Sequence, residues 1–425
     1  MSSAISVMLT EWSEQLFEGV YLETASDRLL AQELMNRGIL EIVELRSGVR
    51  IRSNSFVGRV ALGNMRVQIT PKLRGMPLMI LLQHTYGLRN LTLFRQAGFD
   101  IERLNFFDLL IYTLYSYAEN LINRGVLKGY TSFEEDRACV KGRIDIRRLT
   151  AHGGIIAAAL PCQYYERNEN TILNQVLLAG MRLAGRFATD VNLHHNVMRI
   201  CERLAFLAED IVLSKQVLIA ARRSITRLND IYKPSLELIN VLYEAHSIQL
   251  ENGETDRVSL PGFFFDMNVF FEALVAKLLN NISDQYSIVD QYRIGSLFAY
   301  EPRYNPKNKR SPIPRPDFAL LKNGVVVQLL DAKYRDLWNE SLPRDMLYQL
   351  AVYAASGIGN NTATILYPAM NNLPTIQQIN ISNPFTSEPI AKILMKPINL
   401  VQTADYIKGG EMEKLAHYFT KIICS

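Results

Sequence analysis

The chain has 425 residues, 48% of them hydrophobic and 21% charged, with a formal net charge of +4. That length exceeds one ordinary core and predicts two or three domains of a soluble globular protein. The mild charge excludes a global field that would attract nucleic acid by itself, so any such affinity must come from local patches. No stretch reaches membrane-spanning length and the first residues lack a basic-then-apolar signal pattern, so no membrane association is expected.

Between about residues 35 and 75 the chain is β-rich. Strand-like runs at 39–43, 49–52, 57–62 and 65–71 are punctuated by Ser47-Gly48 and Gly63-Asn64, which predicts a small sheet or barrel. Arg66, Lys72 and Arg74 are the basic residues of interest here. Segments 78–86 and 105–124 read as helices, the second long and amphipathic, and 171–250 is mainly helical by periodicity. This half carries no phosphate-binding glycine loop, nucleophile elbow or metal-ligand spacing, so partner binding rather than chemistry is expected of it. Cys139, Cys162, Cys201 and Cys424 are scattered with no Cys-x-x-Cys pair. That spacing argues against a zinc ribbon or an iron–sulfur cluster and fits reduced thiols in a cytoplasm. Polar residues 251–255 are the expected linker into the C-terminal part.

Residues 263–279 read as a largely apolar helix, with Asp266 near its start and Glu272 as the one acid inside the apolar run. Segment 292–300 reads as a first strand. A Pro-rich loop follows that carries Arg303, Lys307, Lys309, Arg310 and Arg315, with no acid between Glu301 and Asp317. Such a cationic loop suits a polyanionic backbone, although charge clusters are also simply solvated.

Next come two apolar runs, 318–321 and 325–330, joined by Asn323-Gly324, a strong hairpin turn signal. Counting outward from that turn places Asp317 opposite Asp331, to within one residue. Alternation puts Asp331 and Lys333 on one face and Ala332 on the other. Two acids and a lysine therefore converge at the end of an apolar hairpin. Hard oxygen donors in that arrangement suit Mg²⁺ or Mn²⁺, and the lysine can orient or deprotonate a water or steady a developing charge. The alternative is two strand-end acids with Lys333 paired on the surface. Residues 341–356 read as a helix with Ser341 as N-cap, Pro343 in its first turn and Gly357 as its stop. Gln349 and Tyr353, four apart, share a face of it. Strands at 362–367 and 393–398 and a helix at 412–423 complete an α-β-β-β-α-β-β-α order, which suits an α/β sandwich around a mixed sheet.

Pro316, Asp317, the apolar strand into Asp331, and Lys333 together resemble the PD-(D/E)xK nuclease core. That resemblance implies that Glu272 completes the metal site. Gln349 and Tyr353 resemble the Gln-x-x-x-Tyr pair of the RecB-like branch, which implies that they approach it. Segments 56–72, 140–146, 164–174 and 266–272 extend the likeness, and the chain is similar to the McrC family, the nuclease subunit of the McrBC modification-dependent restriction system. The resemblance implies a metal-dependent endonuclease that cleaves double-stranded DNA. Asp317, Asp331 and the Ala332 carbonyl would hold Mg²⁺ (or Mn²⁺), and Lys333 would position the attacking water. It further implies a McrB-like AAA+ GTPase hexamer as partner, which Arg66, Lys72 and Arg74 would contact. Lys141, Arg143, Glu166 and Asn174 are expected to stabilise the middle of the chain.

The expected fold class is α+β multidomain. A β-rich, partner-docking N-terminal region (1–130) precedes a mainly helical middle region (131–254) and a C-terminal α/β restriction-endonuclease-like domain (255–425). The chain is long for the family, so an extended N-terminal half is expected. Two other classes stay open: a stand-alone RecB-like repair nuclease, and a non-catalytic assembly subunit whose acids are structural.

Overall fold

The structure is a computed structural model and describes residues 5–86, 106–151, 159–247, 262–282 and 286–424. Among these, 5–86 and 262–424 belong to one compact unit and 106–247 to another.

In the first unit, strands β1 (Ile5–Thr10) and β2 (Glu14–Glu18) precede helix α1 (Ala25–Asn36). Thr24 caps α1 through a capping box with Asp27, two residues whose side chains satisfy each other's backbone N–H groups. Strands β3 (Leu40–Leu45), β4 (Gly48–Ser53), β5 (Phe56–Leu62) and β6 (Met65–Thr70) lead to helix α2 (Gly75–Tyr86). These strands match the β-rich expectation but form two sheets, ordered β2-β4-β3 and β1-β6-β5.

The second unit opens with α3 (Phe106–Arg124), β7 (Gly129–Arg137), β8 (Arg143–Ile144), the short α4 (Ile146–Ala151) and β9 (Leu160–Asn168). Helices α5 (Ile172–Phe187), α6 (Val191–Ala205), α7 (Lys215–Arg223) and α8 (Lys233–Ser247) follow. α5 is central and packs against the other three and α3. The helical expectation for this region missed the sheet β7-β9-β8. Gly142 is required there: its φ is +70°, and a Cβ would stand 2.5 Å from the Gln163 carbonyl oxygen. Lys141 pairs with Glu166. Asn174 is fully buried, donates to Leu127 O (2.9 Å) and Glu169 O (2.6 Å), and accepts from Tyr232 Oη (2.6 Å). Lys141, Glu166 and Asn174 thus tie this unit together, as expected.

The chain returns to the first unit with β10 (Gly262–Asp266), which pairs antiparallel with β5, Phe265 opposite Val57. The expected helix over 263–279 is corrected here. Three consecutive phenylalanines suit a pleated surface and fill the edge of β5, and helix α9 (Met267–Leu279) starts only after Asp266, its N-cap. The expected boundary at 130 falls inside the second unit, and this pairing joins the N-terminal strands to the C-terminal half within one unit; the expected boundary at 254 lies outside the described residues. The expected linker at 251–255 lies outside the described residues.

Strands β11 (Tyr286–Asp290), β12 (Phe318–Lys322) and β13 (Val325–Ala332), helix α10 (Arg344–Ala355), then β14 (Thr362–Ala369), β15 (Gln377–Ser382) and β16 (Pro389–Asn399) build a mixed sheet ordered β11-β12-β13-β14-β16-β15. Helices α11 (Leu400–Lys408) and α12 (Met412–Cys424) close the chain. Ala319, Leu329, Ile365 and Ile393 alternate onto one face and pack with Leu350, Tyr353 and Ala354 of α10. Burial of each such leucine or isoleucine contributes roughly 1.5–3 kcal/mol.

Three expectations shift. Residues 292–300 form no strand, the first strand being β11. β15 was not anticipated. α10 starts at Arg344 with Pro343 as N-cap, because a residue before proline disfavours the helical region and keeps 341–342 out of the helix. Among the described residues no helix is long and apolar enough to cross a membrane.

Candidate active site

The hairpin β12–β13 turns at Asn323 (φ +53°) and Gly324 (φ +78°), the two left-handed positions of a type I′ turn. Outward from it, Leu321 faces Val326 but Leu320 faces Gln328, so Val327 is a bulge. Beyond the bulge Phe318 faces Leu330, the outermost pair of the ladder, and Asp317 and Asp331 are the next residue on each side of it. The two acids thus stand at the same end of the hairpin.

Lys333 Nζ lies 2.9 Å from Asp331 Oδ2 and 3.7 Å from Asp317 Oδ2. Asp317 Oδ2 also accepts from the Ala332 N–H at 2.9 Å, and the Lys333 N–H donates to Leu366 O on β14 at 3.0 Å. Asp331 is 2% exposed, and its Oδ1 has no hydrogen-bond partner among the described residues. Burial, reinforced by the charge of Asp317, pushes its pKa up to about 6 against the opposing pull of Lys333. Burial pulls the Lys333 ammonium down, but the Asp331 and Asp317 carboxylates outweigh it and hold its pKa above the ordinary value.

Glu272 on α9 is half-buried. Its pKa is raised by burial and then by the charge of Asp317, which places it within electrostatic reach of the pair. Its Oε1 accepts from Gln291 Nε2 at 3.0 Å, and the Gln291 N–H donates to Asp317 O at 2.7 Å. Gln291 holds a left-handed backbone, φ +50°, just past β11. Sequence reasoning missed it, since that role rests on an unusual φ and on contacts to distant segments.

Tyr353 is buried and donates its hydroxyl to Arg315 O at 3.0 Å, while exposed Gln349 donates Nε2 to Tyr353 Oη at 2.7 Å. The pair reaches the candidate site through the chain that enters Asp317. Arg303, Lys307, Lys309, Arg310 and Arg315 are all exposed on the irregular segment before β12, and none forms an ion pair among the described residues. Asn305 braces that segment against Lys309 through two hydrogen bonds. Arg66 on β6 is exposed, as are Lys72 and Arg74; Arg74 is held by Thr70 Oγ1 (2.8 Å) and Pro71 O (3.1 Å).

Among the described residues no group of three His, Cys, Asp or Glu is arranged to hold a metal ion. The donor set nevertheless fits Mg²⁺. Two hard carboxylates converge, one of them with an unpartnered buried oxygen, and Mg²⁺ is commonly held by one or two carboxylates with water in its remaining positions.

The sequence profile of the McrBC 5-methylcytosine restriction system component family matches residues 51–368. A chain in the refined half-complex from the tetradecameric assembly of Thermococcus gammatolerans McrB AAA+ hexamers with bound McrC is similar in fold. Its TM-score is 0.61 at 19% identity, over 96% of this chain and 100% of that one. A chain of the T. gammatolerans McrBC complex determined by cryo-EM also matches, with a TM-score of 0.46 at 19% identity over 66% of this chain and 89% of that one. No curated protein matches the chain.

Proposed function

This chain belongs to the family of McrBC 5-methylcytosine restriction system components, and from that membership we propose that it is the DNA-cutting subunit. In this reading it is a Mg²⁺-dependent endonuclease of the PD-(D/E)xK type, carried by the C-terminal half. It acts on foreign methylcytosine-containing DNA together with a McrB-like AAA+ GTPase. The observation that carries the reading is the convergence of Asp317, Asp331 and Lys333 at the end of one hairpin. The McrB partner is supported by the fold likeness to a chain from an assembly of McrB hexamers with bound McrC.

Asp317, Asp331 and the Ala332 carbonyl would hold the ion, with Glu272 assisting. When bound, Mg²⁺ (or Mn²⁺) supplies Lewis acidity to the scissile phosphate and lowers the pKa of a water. Lys333 orients the attacking water and offsets the charge that builds on the phosphate oxygens. Tyr353, steadied by Gln349, fixes the strand entrance that carries Asp317. The cations at Arg303, Lys307, Lys309, Arg310 and Arg315 meet the DNA backbone, where each phosphate contact releases a counterion. Arg66 on β6 and Arg74 in the segment that follows it face the motor.

The test is cleavage of methylated and unmethylated plasmid with Mg²⁺, with and without the AAA+ partner and GTP. Cutting that needs partner, nucleotide and methylation is the expected result. Cutting by the chain alone would move it to the stand-alone nucleases, and unchanged cutting by Asp331→Ala would remove the site.

A further inference from the structure

One residue past Lys333 the chain begins to line a cleft of about 270 Å³. Both tryptophans of the sequence, Trp12 and Trp338, stand in its walls, together with Lys72, Arg335 and Asn371. Trp12 is locked in place: its Nε1–H donates to Tyr334 O at 3.0 Å. Its backbone occupies the left-handed region, φ +56°, which is costly for a bulky side chain and persists where the surroundings impose it. The Arg335 guanidinium stands 4.9 Å from the centre of the Trp12 ring, and its Nε and Nη2 are braced by one oxygen of Glu340. Trp338 is 39% exposed. Glu340 thus pairs with Arg335, while a second acid of the wall, Asp336, is turned into its own loop, where its carboxylate accepts from the Trp338 and Asn339 N–H groups. The wall behind is firm, since buried Glu11 accepts from Tyr334 Oη at 2.7 Å and from the Lys72 N–H at 2.6 Å.

We infer that this cleft binds one unstacked nucleotide of a DNA strand, its base against the tryptophans and its flanking phosphates at Lys72 and Arg335. The inference rests on the nuclease reading above and deepens it by assigning the path of the strand beside the candidate cleavage site. Indole faces stack on any base, and cations at the rim take phosphate without fixing sequence. Asn371 adds an amide for the base edge. A nucleoside triphosphate fits poorly, because the sequence has no glycine-rich phosphate loop to cradle it. Arg335 lies two residues beyond Lys333, across a tight turn in which its N–H donates to Lys333 O at 2.9 Å, so at most about 7 Å of chain separates them and a strand held at the carboxylates has its neighbouring nucleotide close to this rim.

The experiment uses the full chain in EDTA, so that nothing is cut. Its tryptophan fluorescence is titrated with a short single-stranded DNA oligonucleotide and with an abasic phosphodiester oligomer of equal length, and the anisotropy of a label on each is followed in parallel. The expected result is fluorescence quenching by the base-bearing strand, bound roughly tenfold more tightly than the abasic one. Trp338→Ala should lose that preference and Trp338→Phe, checked for native circular dichroism, should keep it. Equal affinity for the two oligomers, or binding seen by anisotropy with unchanged tryptophan emission, overturns the inference. The nuclease reading fails separately: base-preferring binding in EDTA by a protein that never cuts with Mg²⁺, GTP and partner would sink that reading alone.

Discussion

The Tyr353 hydroxyl donates to the main-chain carbonyl of Arg315 at 3.0 Å, which ties helix α10 to the chain two residues before Asp317. Tyr353→Phe removes that tie and loosens the placement of one carboxylate. Cleavage by the assembled enzyme should fall roughly tenfold, since small misplacements at a reacting centre are expensive, and stability should fall by about 1 kcal/mol. Gln349→Ala should cost less than threefold, roughly, because Gln349 is exposed and its donor lands on the hydroxyl. Equal losses in the two variants would contradict this ordering.

Asp331 is a charge held where burial and Asp317 both oppose it, with one oxygen unpartnered. Asp331→Asn should therefore be more stable than wild type in EDTA, by about 1 kcal/mol, while losing cleavage by at least ~100-fold. Mg²⁺ at ~100 times its dissociation constant should raise wild-type stability by about 2.7 kcal/mol and leave Asp331→Asn unmoved. Thermal melts with and without Mg²⁺ decide the matter, and an equal Mg²⁺ response in both proteins would remove Asp331 from the ion's ligands. Lys333→Ala should also abolish cutting and leave partner assembly intact.

The basic segment before β12 makes a salt-dependent prediction. Each cation that meets a phosphate contributes roughly 0.9 to the slope of log affinity against log salt. Replacing Lys307, Lys309 and Arg310 together by alanine should flatten that slope by nearly three such increments, measured with a duplex at several salt concentrations. An unchanged slope would show that these side chains do not touch DNA.

Glu11 gives the pH dependence. Burial, offset in part by hydrogen bonds from the Lys72 N–H and Tyr334 Oη, pushes its pKa up from 4.5 to about 7. Its Oε2 has no hydrogen-bond partner among the described residues. A folded-state pKa above the unfolded one means that the native state holds the proton more tightly. The stability it confers is whole below pH 4.5 and is lost as pH rises towards 7, by roughly 3 kcal/mol. Glu11→Gln keeps an acceptor for Tyr334 and Lys72 without the charge, so its stability should be flatter across that window and exceed that of wild type at pH 8. Parallel pH profiles from urea unfolding would contradict this.

What the sequence reveals here is local. Asn323-Gly324 between two apolar runs announces a hairpin, and counting outward brings Asp317 and Asp331 together; the unforeseen bulge at Val327 falls within the one-residue tolerance. The α10 pair is legible for the same reason, since four-residue spacing on a helix is a local matter. Pairings between distant segments are not. Phe263–Phe265 looks like the start of an apolar helix until β5 supplies an edge for it, and Tyr292, Phe298 and Tyr300 look strand-forming but pair with nothing regular. β15, with its polar outer residues, is held by β16 and carries a weak signal of its own. Trp12 and Tyr334 meet across 322 positions, so no pattern along the chain places them in one cleft.

The β5–β10 pairing also has a consequence in time. Leu62 ends β5 and Gly262 begins β10, 200 positions later. At ~5–20 residues per second, a ribosome leaves one edge of β5 without its mate for about 10–40 s. An apolar strand edge exposed for that long is a template for pairing with another nascent chain. Expressing the hairpin half by itself reverses the problem, because β10 then emerges with no β5 to receive it. Production of this protein should accordingly reward faster translation together with holding chaperones, and penalise truncation at either side of the inserted unit.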